Sequence, residues 1–176
     1  LLDMNKDYFE IHFEEYPEKN YREVARAIAQ KASRKFSIPA FLIGTSHAAA
    51  DGEEILKGIE EIAGQHVNAY GGAAGDDYSF AETFVFTNKK DSANAMVCIT
   101  LDETKVEIKG IATCGWKAVG TEKIVTKSEG NHVYTVENVP VLDITAKYGG
   151  LENVTPDNKN MLVEIAANFP LQLQRE

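Results

Sequence analysis

The chain has 176 residues, of which 44% are hydrophobic and 26% charged, a composition typical of a globular domain with a core of its own. Its formal net charge of −9 argues against nucleic acid or an anionic membrane surface as a partner, because both require clustered Lys and Arg. No apolar run approaches the roughly 18 residues that a membrane span needs, and no signal peptide is recognisable, so we expect a cytoplasmic protein.

Helices and short strands alternate in the first part of the chain. A strand is expected over residues 8–13. A helix follows from Asn20, because apolar residues recur at three- and four-residue spacing as far as Ala32. The compact apolar run 40–43 ends at Gly44, and this pattern predicts a buried strand.

A crossover unit is predicted next. Asp51 is the expected N-cap of a second helix, and Gly64 is its expected C-terminal cap. A third strand over 67–70 completes a strand–helix–strand arrangement across 38–72, and its two strands should be parallel. The apolar stripe of this second helix is predicted to contain Ile55, Leu56, Ile59, Ile62 and Ala63.

The second half of the chain changes to short strands joined by polar turns, which predicts an antiparallel meander. A short helix is expected over 140–148, and a last helix begins at Pro156. Cys98 and Cys114 have no CxxC partner, and we expect free thiols. The fold class is therefore α/β to α+β, with mixed sheets and helices packed on the sheet. The strands of this half are expected over 83–87, 95–101, 106–114, 122–127 and 132–136.

Two loops that follow the predicted parallel strands form the candidate ligand site. Ligands gather beyond the carboxyl ends of such strands, and glycine there permits positive φ or the close approach of a backbone or a ligand. The helix that begins at Asp51 points its N-terminus to the same place, which favours an anionic group. The candidate ligand-binding residues are Thr45, Ser46, His47, Gly71, Gly72, Gly75, Asp76, Asp77 and Trp116.

Two of these residues carry more specific predictions. Asp76, the acid directly after Gly75, is predicted to accept backbone N–H bonds from the turn that follows. This bonding would fix the entry of strand 83–87. Trp116, the only tryptophan, either stacks on a ligand or covers the end of the core, and the sequence leaves both readings open.

Three interpretations compete with a ligand site. From the residues alone, a tight connection with polar tips is favoured for the glycine cluster. The second interpretation is a hydrolase or metal-dependent enzyme that uses the 45–47 and 76–77 loops. The geometry for proton transfer between Ser46 and His47 is unfavourable, since adjacent side chains on an extended stretch point in opposite directions. The third is a protein-interaction module with an exposed sheet edge that joins a partner.

Four segments stand in an order and at a spacing that resemble the N-terminal domain of FIST proteins, a family named for F-box and intracellular signal transduction: 41–64, 67–88, 120–144 and the Phe-Pro-Leu sequence at 169–171. Asn138 and Val141 replace the family's commoner Gly and Ala, and its usual opening unit is absent. The positions that carry the resemblance are Gly71, Gly72, Gly75, Asp76, Phe80, Thr83, Phe84, Val85, Phe86, Val125, Thr126 and Lys127.

The resemblance implies a bacterial sensory domain without catalytic activity, which binds a small ligand of the amino-acid class. We expect no cofactor and no metal. The sensory domain would occupy 1–150 without its first segment. Residues 151–176 would form a terminal helix that leads towards a C-terminal FIST domain and a signalling output domain. Whether the chain forms a homodimer is left open.

Overall fold

The structure is a computed structural model that describes residues 3–46, 50–76, 82–113, 115–130, 132–151, 155, 157, 168 and 170–172. The chain divides into two compact units, Leu1–Ala112 and Thr113–Glu176. The first unit contains a 3-10 turn and eight elements, in chain order β1 Phe9–Glu15, α1 Tyr21–Lys35, β2 Pro39–Thr45, α2 Gly52–Ala63, β3 Ala69–Ala73, β4 Val85–Phe86, β5 Asp91–Ser92 and β6 Ala95–Asp102.

A four-stranded mixed sheet with the order β1-β6-β2-β3 organises the first unit. Strand β6 runs antiparallel to both β1 and β2, whereas β2 and β3 are parallel. One row of paired residues crosses the sheet from His12 through Cys98 and Ile43 to Gly71. The predicted mixed sheet and its parallel crossover are therefore confirmed.

Both helices of the first unit contribute to one hydrophobic core with the sheet. Cys98 is a free thiol within this core, and burial raises its pKa to about 12. Cys114 lies outside the described residues. The core cluster contains Tyr16, Ala25, Ile28, Ala29, Ala32, Phe41, Ile43, Ile55, Ile59, Met96 and Cys98.

The buried stripe of α2 differs from the predicted one at two positions. Leu56 was expected inside but is 42% exposed, whereas Gly58 is buried. A Cβ atom on Gly58 would lie 2.4 Å from the carbonyl oxygen of Arg22 and 3.0 Å from the Cβ of Ala25. The contact surface of α2 is therefore turned towards the backbone of α1, and only glycine permits this approach.

The strand predicted over 106–114 is wrong for the residues that the structure describes, 106–113, which contain no strand. The backbone N–H groups of Lys105 and Val106 both donate to the carbonyl of Asp102, so the chain turns away directly after β6. Both edges of β6 are already paired, by β1 and β2, and the described residues after the turn form no ladder with the edge strands β1 and β3. Alternating side chains alone do not make a strand, because a strand also needs a partner with which it forms a ladder.

The strand predicted over 83–87 is reduced to the two residues of β4, which pair with β5. The Thr87 hydroxyl oxygen accepts from the backbone N–H groups of Lys89 and Lys90, at 3.2 and 3.3 Å. This side-chain turn ends the ladder and reverses the chain after two residue pairs.

The second unit contains a three-stranded antiparallel sheet and one helix, β7 Val125–Glu129, β8 His132–Val136, β9 Val139–Pro140 and α3 Val141–Gly149. Both residues between β8 and β9 have positive φ, 51° at Glu137 and 61° at Asn138, as a type I′ turn requires. Gly150 closes α3 in the left-handed region, at φ 65°. The predicted meander and short helix are confirmed here, and most of the predicted last helix lies outside the described residues.

Candidate ligand site

The carboxyl ends of β2 and β3 lie side by side, and we refer to residues 44–46 and 71–76 as the rim. Gly44 pairs with Gly72 and Thr45 with Ala73, as parallel strands predict. The pairing continues one step further, since the backbone N–H of Ala74 donates to the carbonyl of Thr45 at 2.8 Å. The structure therefore brings the two predicted loops to the same edge of the sheet.

Ser46 joins the end of β2 to the start of β6. Its backbone N–H donates to the carbonyl of Ala95, and its hydroxyl oxygen accepts from the N–H of Ala95 at 2.9 Å. The Tyr16 hydroxyl is 3.2 Å from the same oxygen. Ser46 is fully buried, and Thr45 beside it is buried as well. The hydroxyl of Ser46 is therefore used in packing the rim, which weighs against a role as a nucleophile.

Positive φ is not the reason for the glycines of the rim. Gly71, Gly72 and Gly75 have no positive φ, and the first two lie inside β3. A Cβ atom on Gly71 would lie 2.0 Å from the carbonyl oxygen of Ile43, so a neighbouring backbone occupies its space. A Cβ atom on Gly72 or Gly75 would meet nothing within 4 Å. Exposed backbone at these two positions is thus what the rim offers to a ligand.

The remaining predicted site residues are placed as follows. Asp76 is exposed at the end of the rim. Trp116 belongs to the second unit and is 52% exposed. His47 and Asp77 lie outside the described residues. Ligand contacts of all these residues, and the N–H bonds of Asp76 with the following turn, stay predictions.

A cleft of about 410 Å³ opens between the N-termini of α1 and α2. It is a feature that the sequence reasoning missed, apart from the capping role of Asp51. The signal available in the sequence was the Lys19–Asn20 pair in front of the apolar stripe of α1. The residues that line this cleft are Lys19, Asn20, Tyr21, Arg22, Glu23, Asp51 and Glu54.

The two helix N-termini at the cleft differ in how they are capped. The side-chain oxygen Oδ1 of Asp51 accepts from the N–H groups of Glu53 and Glu54, both at 3.1 Å, which confirms the predicted cap of α2. Asn20 is the N-cap residue of α1 but makes no such side-chain bond. The first-turn N–H groups of α1 therefore lack a side-chain cap, and the acidic side chain at the positive end of its dipole is that of Glu23 in the same turn.

Ion pairs fix the charges on one wall of the cleft. Arg22 bonds to Glu61, with Nε 2.8 Å from Oε1, and lies 3.5 Å from Glu54. Lys57 donates to Glu54 at 2.9 Å, and this hydrogen bond is the main reason that the pKa of Glu54 is lowered. Hydrogen bonding to Glu61 similarly raises the pKa of Arg22. Arg22 and Glu54 thus largely neutralise each other and their neighbours.

Tyr21 stands where the cleft meets the core. Its ring makes an edge contact with the ring of Tyr16, with centroids 4.8 Å apart. Burial, then Tyr16 and then the carboxylate of Asp51 raise the pKa of Tyr21. The phenol therefore stays neutral and can act as a hydrogen-bond donor or acceptor towards a ligand.

A family model described as the FIST N domain matches residues 3–138, which is well over half of the chain. The chain belongs to the FIST N domain family. The resemblance seen in the sequence is thereby confirmed, and this FIST N domain is a member of a family of sensory domains in signal transduction. Searches of curated proteins and of solved structures found no match.

Two further findings concern the part of this FIST N domain that the structure describes. None of its described helices is both long and apolar enough to cross a membrane. No group of three or more His, Cys, Asp or Glu side chains among these residues is placed to hold a metal ion.

Proposed function

We propose that this FIST N domain binds a small polar metabolite, an amino acid or a derivative of one, and that it serves as the sensory part of a bacterial cytoplasmic signalling protein. The observation that carries this proposal is the cleft between the N-termini of α1 and α2. Its volume of about 410 Å³ lies in the range of small-molecule sites. Family membership supplies the sensory role.

The chemistry of the cleft supports a ligand with both charges. Lys19 and the uncapped start of α1 favour an anionic group, whereas Asp51 and Glu23 favour a cationic one. An amino acid carries an ammonium and a carboxylate on the same carbon and matches this arrangement. The exposed backbone at Gly72 and Gly75, together with Asp76, adds polar groups along the rim.

The proposal assigns no catalytic step to this domain. The hydrolase alternative would need Ser46 as a nucleophile, but this side chain is fully buried and already bonded to Tyr16 and Ala95. Binding alone suffices for a sensor, because a ligand that prefers the folded state changes the populations of conformations linked to it.

Thermal unfolding with a panel of amino acids and short peptides tests the proposal. A ligand present at 100 times its dissociation constant should stabilise the domain by about 2.7 kcal/mol. The matched control is the same panel with a variant in which Asp51 is replaced by Ala, for which the stabilisation should be weaker. Absence of stabilisation by every compound of the panel would contradict the proposal.

The second unit supports an additional role as a contact surface. We propose that its exposed apolar side chains meet a C-terminal FIST domain, which in turn joins a signalling output domain. The exposed residues are Trp116, Val119, Ile124, Tyr134 and Val139.

Fluorescence of Trp116 tests this contact, because it is the only tryptophan of the chain. Addition of the C-terminal domain should shift its emission to shorter wavelength, and light scattering should show a one-to-one complex. A homodimer of the isolated chain that shifts the same emission would instead identify a second copy as the partner.

A further inference from the structure

We infer that the outer edge of β3 is a self-association surface, on which a second copy of this chain pairs its own β3 antiparallel to the first. Such a pairing joins the four-stranded sheets of the two copies into one continuous sheet. The dimer is independent of the ligand proposed for the cleft, so either proposal can fail without the other.

The four-stranded sheet has two edge strands, β1 and β3, and β1 is protected against a further strand. The ammonium of Lys35 donates to the carbonyl of Phe9 at 3.3 Å, and that of Lys90 donates to the carbonyl of Phe13 at 3.5 Å. Lysine side chains on an edge are a common means by which proteins avoid pairing with another chain. The backbone of β1 is thus partly occupied at both of its ends.

Strand β3 differs from β1 in the part of the chain that the structure describes. No described strand pairs with its outer edge, and residues 69–75 contain no charged side chain. The last three residues of β3 are exposed. An uncharged open edge is a template for another strand, because its outward N–H and C=O groups need hydrogen-bond partners.

The hydrogen bonds between β3 and β2 show which groups of β3 point outward. The carbonyl of Asn68 accepts from the N–H of Phe41, and the N–H of Ala74 donates to the carbonyl of Thr45, both at 2.8 Å. Successive residues of a strand in a parallel ladder bond to alternate sides, so the even-numbered residues bond to β2 and the odd-numbered ones face the open edge. The outward groups therefore belong to Ala69, Gly71 and Ala73.

A second copy fits this edge in a register that uses the whole strand. With a two-fold axis at Gly71, each Ala69 lies opposite Ala73 of the other copy, and every outward residue forms a hydrogen-bonded pair. These side chains are no larger than a methyl group, so nothing bulky separates the strands. On the other face of the sheet, Tyr70 lies opposite Gly72 of the second copy, and an aromatic ring across from a glycine stabilises a strand pair.

The ring of Tyr70 is held in place before a second copy binds. Its hydroxyl donates to Oδ1 of Asn68 at 3.2 Å, and a Cβ atom on Gly110 would lie 2.4 Å from the ring. The described residues around Gly110 form no ladder with β3, so they contact the ring and leave the outward groups of the strand unpaired by a ladder. Little side-chain freedom of Tyr70 is therefore lost on pairing.

Leu56 adds an apolar contact above the same edge. Gly58 packs against α1, and α1 lies over β1, where Lys35 reaches Phe9. Two residues correspond to about 200° around a helix axis, so Leu56 points away from α1 and towards the β3 side of the sheet. Leu56 is 42% exposed. A second copy brings its own Leu56 to the other side of the two-fold axis, and burial of both side chains favours the dimer.

Sedimentation equilibrium of the whole chain over a series of protein concentrations tests for the dimer. We expect a monomer–dimer equilibrium whose dissociation constant rises at least about tenfold in Leu56→Glu, because an apolar contact is lost and two carboxylates face each other. Ile11→Glu is the matched control, because Ile11 is 54% exposed and lies on the opposite edge strand, β1. It should leave the dissociation constant unchanged.

Ala73→Pro tests the backbone pairing itself. The N–H of residue 73 faces the open edge, so proline removes it without removing a bond to β2. The dimer loses two N–H···O bonds, one from each copy, and its dissociation constant should rise about tenfold. Circular dichroism checks that the variant is folded. If Ala73→Pro does not fold, Leu56→Glu still decides, because its substitution lies at the surface.

Hydrogen exchange of the backbone amides tests which residues pair. The amides of Ala69, Gly71 and Ala73 should exchange more slowly as the protein concentration rises, since the second copy covers them. The amides of Tyr70 and Gly72 are the internal control, because they bond to β2 in the monomer as well. Their exchange rates should depend far less on concentration.

Three results would overturn the self-association of β3. One is a chain that stays monomeric up to about 1 mM, where only very weak association remains possible. Another is a dimer that is unchanged in both Leu56→Glu and Ala73→Pro, which would assign the contact to a different surface. The third is concentration-dependent protection of β1 amides instead of those of β3. Failure of every compound in the thermal panel would remove the proposed function alone and leave the dimer intact.

Discussion

The two helices of the first unit begin at the same cleft, yet their first turns differ. In α2 the side chain of Asp51 occupies the N–H groups of the first turn, whereas in α1 the side chain of Asn20 leaves them uncapped. Both residue types are good N-caps, so their identities alone do not explain the difference. A helix whose first-turn N–H groups are capped gains stability, whereas uncapped N–H groups remain available as hydrogen-bond donors to another molecule.

The cleft exists only while α1 and α2 stay packed together, and Gly58→Ala should have the largest effect on that packing. Its Cβ would press on the carbonyl of Arg22, which is backbone and cannot move aside without shifting α1. We expect a loss of about 3 kcal/mol in the free energy of unfolding, measured by urea denaturation.

Gly52→Ala is the matched control, because it lies in the same helix and a Cβ there meets nothing within 4 Å. It should change stability by less than about 1 kcal/mol. Equal effects of the two substitutions would mean that the close contact of α1 and α2 is absent.

Ser46→Ala should have the next largest effect, because it releases the strand end that precedes α2. The N–H of Ala95 and the hydroxyl of Tyr16 would lose a buried partner, and this should cost about 2 kcal/mol. Ser92→Ala removes a bond to the N–H of Asn94 that lies near the surface, and should cost clearly less. Urea denaturation of both variants measures the difference, and the reverse order would refute the role assigned to Ser46.

The comparison of the two helix starts is tested directly by their cap residues. Asp51→Ala should lower the free energy of unfolding by about 1 kcal/mol, because two N–H groups of α2 lose their acceptor. Asn20→Ala has no cap bond to remove and should change stability far less. Thermal unfolding of the two variants under identical conditions gives the answer, and equal losses would show that α1 is capped in solution.

The smallest effect is expected at the opposite end of α1, where His12 lies buried beneath the helix. Its Nε2 is 3.1 Å from the hydroxyl oxygen of Thr100, which donates in turn to the carbonyl of Glu10. Because the Thr100 hydroxyl donates to Glu10, we assign Nε2 of His12 as the donor to the Thr100 oxygen. Burial is the main cause that lowers the pKa of His12. The nearby carboxylate of Glu10 raises this pKa by a smaller amount, and the ammonium of Lys31 lowers it further.

A pKa of His12 below the unfolded value of 6.5 means that the unfolded chain binds the proton more readily. The contribution of His12 to stability is thus fully present above pH 6.5 and is lost as the pH falls towards the folded pKa. Urea denaturation between pH 7.5 and 5.5 should show this loss, and His12→Gln should reduce it. An unchanged slope in His12→Gln would assign the pH dependence to other groups.

Local chemistry in the sequence determined much of the first unit. The apolar stripes predicted both helices, Asp51 and Gly64 predicted the ends of α2, and the strand–helix–strand order predicted the parallel pairing of β2 and β3. The helices and their caps depend on residues within one or two turns of each other, and the parallel pairing follows from the strand–helix–strand order. Periodicity and capping residues therefore suffice to predict them.

Long-range packing decided the rest. The sequence predicted a rim of exposed polar loops, but it could not show that Gly71 faces the carbonyl of Ile43 or that Ser46 is enclosed by Tyr16 and Ala95. It predicted a strand after β6, although residues 106–113 find no partner strand in the folded chain.

The cleft depends on the same kind of contact. Its walls come from residues 19–23 on one side and from Asp51 and Glu54 on the other, which only the packing of Gly58 against α1 brings together. A single sequence contains the cap residues of each helix, but the distance between two helix starts is set by side chains and backbone far apart in the chain. The tertiary structure alone therefore decided which helix start remained open to a ligand and what faces it.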